Sequence, residues 1–157
     1  MFSMPRHLAL ALLPILTLGC KSHSSKDAEP ALVTGEAAVA SPALINTYWK
    51  LMELGGKPVT VADNQREPYI VLRPDPKQVN GSGGCNRLFG SYETSGSSLT
   101  FGGIGATKMA CASGMETEAA FLPVLGRVAR WRITGQQLEL SDSTGALLAR
   151  LEARAMK

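Results

Sequence analysis

The stretch Ser113-Gly-Met-Glu-Thr-Glu-Ala-Ala-Phe-Leu-Pro-Val-Leu-Gly-Arg-Val-Ala-Arg130 decides the fold class of this chain. Met115, Ala119, Leu122, Leu125 and Ala129 recur at the three- and four-residue spacing of a helix with one apolar face. Ser113 and Glu116 form a capping box, in which Ser113 accepts from the Glu116 N–H and Glu116 reaches back. Glu116 and Glu118 suit the positive N-terminal end of such a helix, and Arg127 and Arg130 suit the other end. Pro123 lacks an N–H and costs about 3 kcal/mol in a helix interior, so a kink or break is expected near Ala119–Leu122.

Outside this stretch the strand period dominates. Thr47–Leu54 places Trp49 and Leu51 on one face and Lys50 on the other, and Ser97–Phe101 puts Leu99 and Phe101 on one side. Pro68–Arg73, Lys77–Gly81, Arg87–Tyr92, Trp131–Thr134, Gln137–Leu140 and Ala146–Glu152 read as further strands, separated by Gly, Pro, Asp and Ser turns. Connections this short favour antiparallel pairing, because parallel neighbours need long crossovers. The expected class is therefore α+β: a curled antiparallel β-sheet with one packed α-helix, its closure toward a barrel left open. Trp49 and Trp131 are expected as core anchors.

The chain has 157 residues, 45% of them hydrophobic and 18% charged, enough for one ordinary domain. Sixteen Lys and Arg face thirteen Asp and Glu, a balance that gives no argument for a nucleic-acid partner. Residues 1–19 read as a signal peptide: Arg6 precedes Leu8–Leu18, eleven uncharged residues of which seven are Leu or Ile. Leu16-Thr-Leu-Gly-Cys20 resembles a bacterial lipobox, with Thr17 where Leu is usual. The resemblance implies lipidation of Cys20 and anchoring in the cell envelope. Lys21, which is not Asp, implies the outer membrane, facing the periplasm. Residues 20–44 are rich in Ser, Ala and Pro, lack aromatics and read as a flexible linker, leaving 45–154 as the folded domain.

Three cysteines in an exported chain are an odd count. If Cys20 is lipidated, Cys85 and Cys111 remain to pair in an oxidising compartment, the alternative being two reduced, buried thiols. A metal centre lacks ligands, since His7 and His23 are the only histidines and both lie near the N-terminus. Their absence from the domain also excludes a triad or an imidazole base. No cofactor is implied. Ser82 has Asn80 where a nucleophile elbow needs Gly, and Gly81, Gly83 and Gly84 are followed by no Gly-Lys-Ser/Thr phosphate loop. Asp63, Glu67, Glu93, Glu116, Glu118, Asp142 and Glu152 form no paired-carboxylate motif and read as surface charges or caps. Met109 reads as core rather than as a copper ligand. Arg127, Arg130, Arg132, Arg150 and Arg154 read as a solvated face, with an anionic envelope contact as the alternative.

Three stretches together resemble the META domain family, typified by a heat-shock lipoprotein: Asn46-Thr-Tyr-Trp-Lys-Leu51, Asn80-Gly-Ser-Gly-Gly-Cys-Asn-Arg-Leu-Phe-Gly-Ser-Tyr92, and Ile104-Gly-Ala-Thr-Lys-Met-Ala-Cys111. Glu118, Phe121 and Leu122 follow in order, and Gly135–Leu140 closes the match. The family positions carried over are Trp49, Gly84, Asn86, Thr107 and Met109. Taken as physical chemistry alone, Gly83 and Gly84 permit backbone angles or close approaches, and Asn86 can bond its local backbone at a turn. The resemblance implies a non-enzymatic envelope protein, tied to the membrane by its lipid. Stress protection or novobiocin resistance through an envelope protein partner is the implied role, with no nucleic acid involved. The alternative is an inhibitor of an envelope hydrolase, or a carboxylate-based enzyme. No oligomeric state is implied.

Overall fold

The structure is a computed structural model and describes residues 40–156. The signal peptide, Cys20 and most of the linker lie outside the described residues. In chain order the elements are β1 (Tyr48–Leu54), β2 (Lys57–Pro58), β3 (Tyr69–Pro74), β4 (Lys77–Ser82), β5 (Arg87–Ser95), β6 (Ser98–Ala106), α1 (Met115–Leu125), β7 (Arg130–Thr134), β8 (Gln137–Ser141) and β9 (Leu147–Arg154). The expected α+β class holds. All the pairings are antiparallel, in the order β2-β1-β3-β4-β5-β6-β7-β8-β9, and β1 also pairs with β9.

That last pairing curls the sheet into a ring. The β1–β9 seam is long, running from Tyr48↔Arg154 to Leu54↔Ala149 with one bulge. The β6–β7 joint is thin: Ser98↔Arg130 is its only register pair, backed by Leu99 N–H to Ala129 O and Trp131 N–H to Ser97 O. The helix is inserted at this joint, which is why the ring is not a regular barrel. Strand alternation fills the interior with Trp49, Leu51, Ile70, Leu72, Leu88, Tyr92, Leu99, Leu138, Leu140 and Leu151, each at most 2% exposed. Burying a side chain of this size contributes roughly 1.5–3 kcal/mol. Phe121 and Leu125 bring α1 onto the same core. The Trp49 indole also donates to Leu44 O at 2.9 Å, so the packed fold includes Leu44.

The helix departs from expectation at both ends. Its N-cap is Gly114, at φ 87°, and no side chain caps it. Ser113 and Glu116 do not form the capping box, because the left-handed turn at Gly114 displaces the cap by one residue. Its position is fixed by a tertiary contact described below. At the other end the helix continues through Pro123 to Leu125, so there is no break at Ala119–Leu122. Pro123 falls in the last turn, beyond which the chain tightens through Arg127 N–H to Val124 O and Val128 N–H to Leu125 O. Arg127 and Arg130 therefore lie past the helix end. Trp131 is only partly buried and packs at the edge of the core.

Candidate functional site

The turn between β4 and β5 is built by glycines. At Gly83 a Cβ would lie 2.5 Å from Glu118 Cγ, and at Gly114 a Cβ would lie 2.4 Å from Gly84 O. Gly84 itself sits at φ 117°, where other residues are strained. The absence of these side chains lets the turn reach the start of α1. The Cys85–Cys111 disulfide, with its Cα atoms 5.9 Å apart, ties the same turn to the segment that leads into the helix.

Asn86 is the centre of this junction. It is 3% exposed. Its Oδ1 accepts from Met109 N–H at 2.7 Å and from Thr107 Oγ1 at 3.0 Å. Its Nδ2 donates to Glu118 Oε1 at 2.9 Å and to Met109 O at 3.2 Å. Its backbone N–H donates to the other Glu118 oxygen at 2.6 Å. One side chain thus joins β5, the β6–α1 connection and α1. The expectation that Asn86 bonds its local backbone is corrected: its side-chain partners among hydrogen-bonding backbone groups lie more than twenty residues away. Glu118 is likewise neither a surface charge nor a cap, since both its oxygens serve Asn86. Thr107 reinforces the joint by accepting from Arg87 N–H. Met109 contributes only its backbone. Its side chain is 59% exposed, which overturns the expectation of a core methionine.

Two clefts flank this junction. The larger, about 780 Å³, lies between the β1–β2 turn, Gln65 and the N-terminus of α1. No aromatic ring lines it. The other, about 570 Å³, opens on the outer face of the sheet and is lined by Tyr48, Arg66, Tyr69, Asn80, Arg87 and Phe89 among others. Tyr48 and Tyr69 stack there at 4.2 Å between ring centroids and 17° between planes. The Tyr48 hydroxyl donates to Glu67 Oε2 at 3.2 Å, and Lys50 Nζ donates to Glu67 Oε1 at 3.0 Å. Burial, and then the neighbouring Glu67 carboxylate, hold the Tyr48 phenol well above its ordinary pKa.

Among the described residues, four of the five arginines of the C-terminal run form local pairs, Arg130 being the exception. Arg127 meets Asp142, Arg132 meets Glu139, Arg150 bridges Glu53 and Glu139, and Arg154 meets Glu152. Hydrogen bonding from Arg132, with help from Arg150, keeps Glu139 below the usual carboxylate range. The basic run at the C-terminus is therefore interleaved with acids rather than gathered into a patch. Asp142 caps its own turn, accepting from Thr144 and Ala146. Among the described residues no three His, Cys, Asp or Glu side chains form a group that could hold a metal ion. The sequence brought Gly84, Cys85, Asn86, Thr107, Met109 and Cys111 to attention, and the structure assembles all six at one junction, with Trp49 apart in the core. Arg66, Arg87, Phe89 and the tyrosine pair escaped notice. Residues 87 and 89 lie inside the matched stretch Asn80–Tyr92 and alternate outward just after Asn86, but only as strand residues.

A curled antiparallel ring with one inserted helix, pinned by a disulfide and a part-buried Asn–Glu contact, defines a small β-rich module whose shared motif is built into its frame. The family model for the META domain matches residues 42–155, and the chain belongs to that family. Among solved structures it is similar to an NMR structure of a protein from Burkholderia xenovorans, with 27% identity and a TM-score of 0.59 over 72% of this chain and 85% of that one. A second NMR structure shares 28% identity at a TM-score of 0.53, over 68% of this chain and 89% of the other. No curated protein matches the chain.

Proposed function

We propose that this META-domain protein is a lipid-anchored, non-catalytic binding module of the bacterial envelope. Its anchor is Cys20, its place is the outer membrane facing the periplasm, and it acts in stress protection or novobiocin resistance by binding an envelope partner. The observation that supports a binding role is the use made of the motif. The Asn86 amide and the Glu118 carboxylate, its most chemically capable groups, are turned onto each other and onto backbone rather than toward a cleft. The lipobox and the leader support the location, and the family resemblance supports the stress role.

The test is genetic and biochemical together. A strain lacking the gene should grow less well under novobiocin or heat, and the intact gene should restore it. Cys20→Ala should leave the membrane fraction, lose fatty-acid label and fail to restore growth. A labelled, membrane-bound Cys20→Ala protein would end the anchoring reading. A purified turnover lost on one carboxylate-to-amide change, with folding intact, would replace the binding module by an enzyme.

A further inference from the structure

The outer-face cleft has a simple origin in strand register. Tyr69 pairs with Ser82 and Ser82 with Arg87, while Val71 pairs with Asn80 and Asn80 with Phe89. Residues directly across neighbouring strands share a face. The middle strand, β4, lines the cleft only with Asn80 and Gly81, Ser82 being fully buried, so a trough runs between the taller residues of its neighbours. The stacked Tyr48 and Tyr69 rings form one wall. Phe89, 49% exposed, forms the other with Arg87.

What distinguishes the trough is two cations beside its rings. Arg66 and Arg87 are both exposed, and among the described residues neither has a carboxylate partner. Glu67, the acid closest in sequence, is engaged by Lys50 and Tyr48. A third cleft, of about 380 Å³, is lined by the same two arginines together with Cys85, Thr107 and Met109. The guanidinium groups therefore stand where two clefts meet, with rings on one side and the exposed Met109 on the other. A space of several hundred Å³ with apolar walls and a few polar groups is the usual form of a small-molecule site. Guanidinium groups favour planar oxyanions, and ring walls favour flat apolar groups.

We propose that this cleft binds a small organic anion bearing a flat ring, such as an aryl carboxylate, sulfonate or phosphate ester. Its acid group lies on Arg66 and Arg87 and its ring lies between the tyrosine pair and Phe89. The inference rests on the binding-module reading. A titration of purified protein tests the cleft by itself, whereas fractionation and growth test the anchor and the role, so the two can fail separately.

The experiment is an NMR titration of the isotopically labelled full-length chain, purified in zwitterionic detergent, with naphthalene-2-sulfonate. The neutral sulfonamide of the same ring and inorganic phosphate are the paired probes. The sulfonate should saturate, shifting the amides of Arg66, Tyr69, Arg87 and Phe89, and should bind more tightly than either control. Arg66→Gln and Arg87→Gln should each weaken it about tenfold, the scale of one charge-assisted hydrogen bond. Phe89→Ala should weaken it severalfold, and Arg130→Gln, an exposed arginine outside the cleft, should leave it unchanged. Rising salt should lower the affinity of the wild-type chain, a readout that needs no variant. Absence of saturation, equal binding of sulfonate and sulfonamide, equal binding of sulfonate and phosphate, or affinity indifferent to salt would each overturn the proposal.

Discussion

Replacing Asn86 by Asp changes one NH2 to an oxygen at the most connected side chain of the junction. The wild-type Nδ2 donates to Glu118 Oε1 at 2.9 Å and to Met109 O at 3.2 Å. In Asn86→Asp both acceptors lose their donor. Leaving a buried acceptor unpaired costs about 1–3 kcal/mol, and since both contacts are part-buried the two together cost about 2–4 kcal/mol. The new carboxylate also faces that of Glu118 at hydrogen-bonding distance, and the two cannot both ionise without further cost. A loss of about 4 kcal/mol or more at pH 7 is expected, a large fraction of the stability of a small domain. Acid should relieve part of it. The facing pair holds one proton to a higher pH in the folded chain than in the unfolded chain, so the variant's folded pKa is raised. The stability linked to that proton is present at low pH and is lost as pH rises through the raised value. Urea unfolding at pH 5 and pH 7, with the disulfide intact, measures both effects. Adding Glu118→Gln restores a donor opposite the new carboxylate, and the double variant should recover more than 1 kcal/mol relative to additivity. An Asn86→Asp variant within about 1 kcal/mol of wild type, with the same dependence on pH, would show that this network does not hold the fold together.

The disulfide closes a separation of 26 residues, and replacing Cys85 and Cys111 together by Ser should cost about 3–4 kcal/mol in the chain-entropy account; a denaturation midpoint insensitive to reductant would contradict the bridge. Gly114→Ala must move backbone, since its Cβ would meet Gly84 O at 2.4 Å with φ at 87°, and a loss above about 2 kcal/mol is expected. Gly126→Ala, at φ −66° with its nearest contact at 3.5 Å, should be neutral or stabilising by up to about 1 kcal/mol; thermal melts of the two variants separate strain from composition. Burial raises the phenol of Tyr92 as well as that of Tyr48, so the ultraviolet titration of folded protein should lag that of unfolded protein. The same shift makes their stability contribution complete below the unfolded tyrosine pKa of about 10 and lost as pH rises through the folded values.

Most of the sheet was legible because it rests on a local rule. Trp49 and Leu51, and Leu138 and Leu140, alternate with more polar residues, while Ile70 and Leu72 flank the buried Val71 in a continuous apolar run; each pair is fully buried on the inner face. The closing β1–β9 seam has no such local signal, because it joins residues about a hundred positions apart through register alone. β2 has only two residues, too short to show any period. The helix shows a rule overridden. Ser113 and Glu116 satisfy the pattern of a capping box, but Gly114 must press against Gly84, and the left-handed turn this requires leaves the box unmade.

The junction was legible as a place and misread as chemistry. A single Asn in a glycine-rich turn invites a local role, because its side chain can reach its own backbone. The partners that decide its role, at 107, 109 and 118, are brought to it only by the folding of β6 and α1. The cleft was hidden for the opposite reason: an exposed arginine or phenylalanine satisfies no pattern. Yet the two are linked through β5. Asn86 anchors the turn that leads into that strand, and Arg87 and Phe89, its first outward positions, follow directly from it. Arg87 N–H is held by Thr107 Oγ1, and the same hydroxyl donates to Asn86. A motif residue whose own hydrogen bonds are satisfied inside the fold can therefore still govern binding, by setting the angle at which the unsatisfied residues beside it meet a ligand.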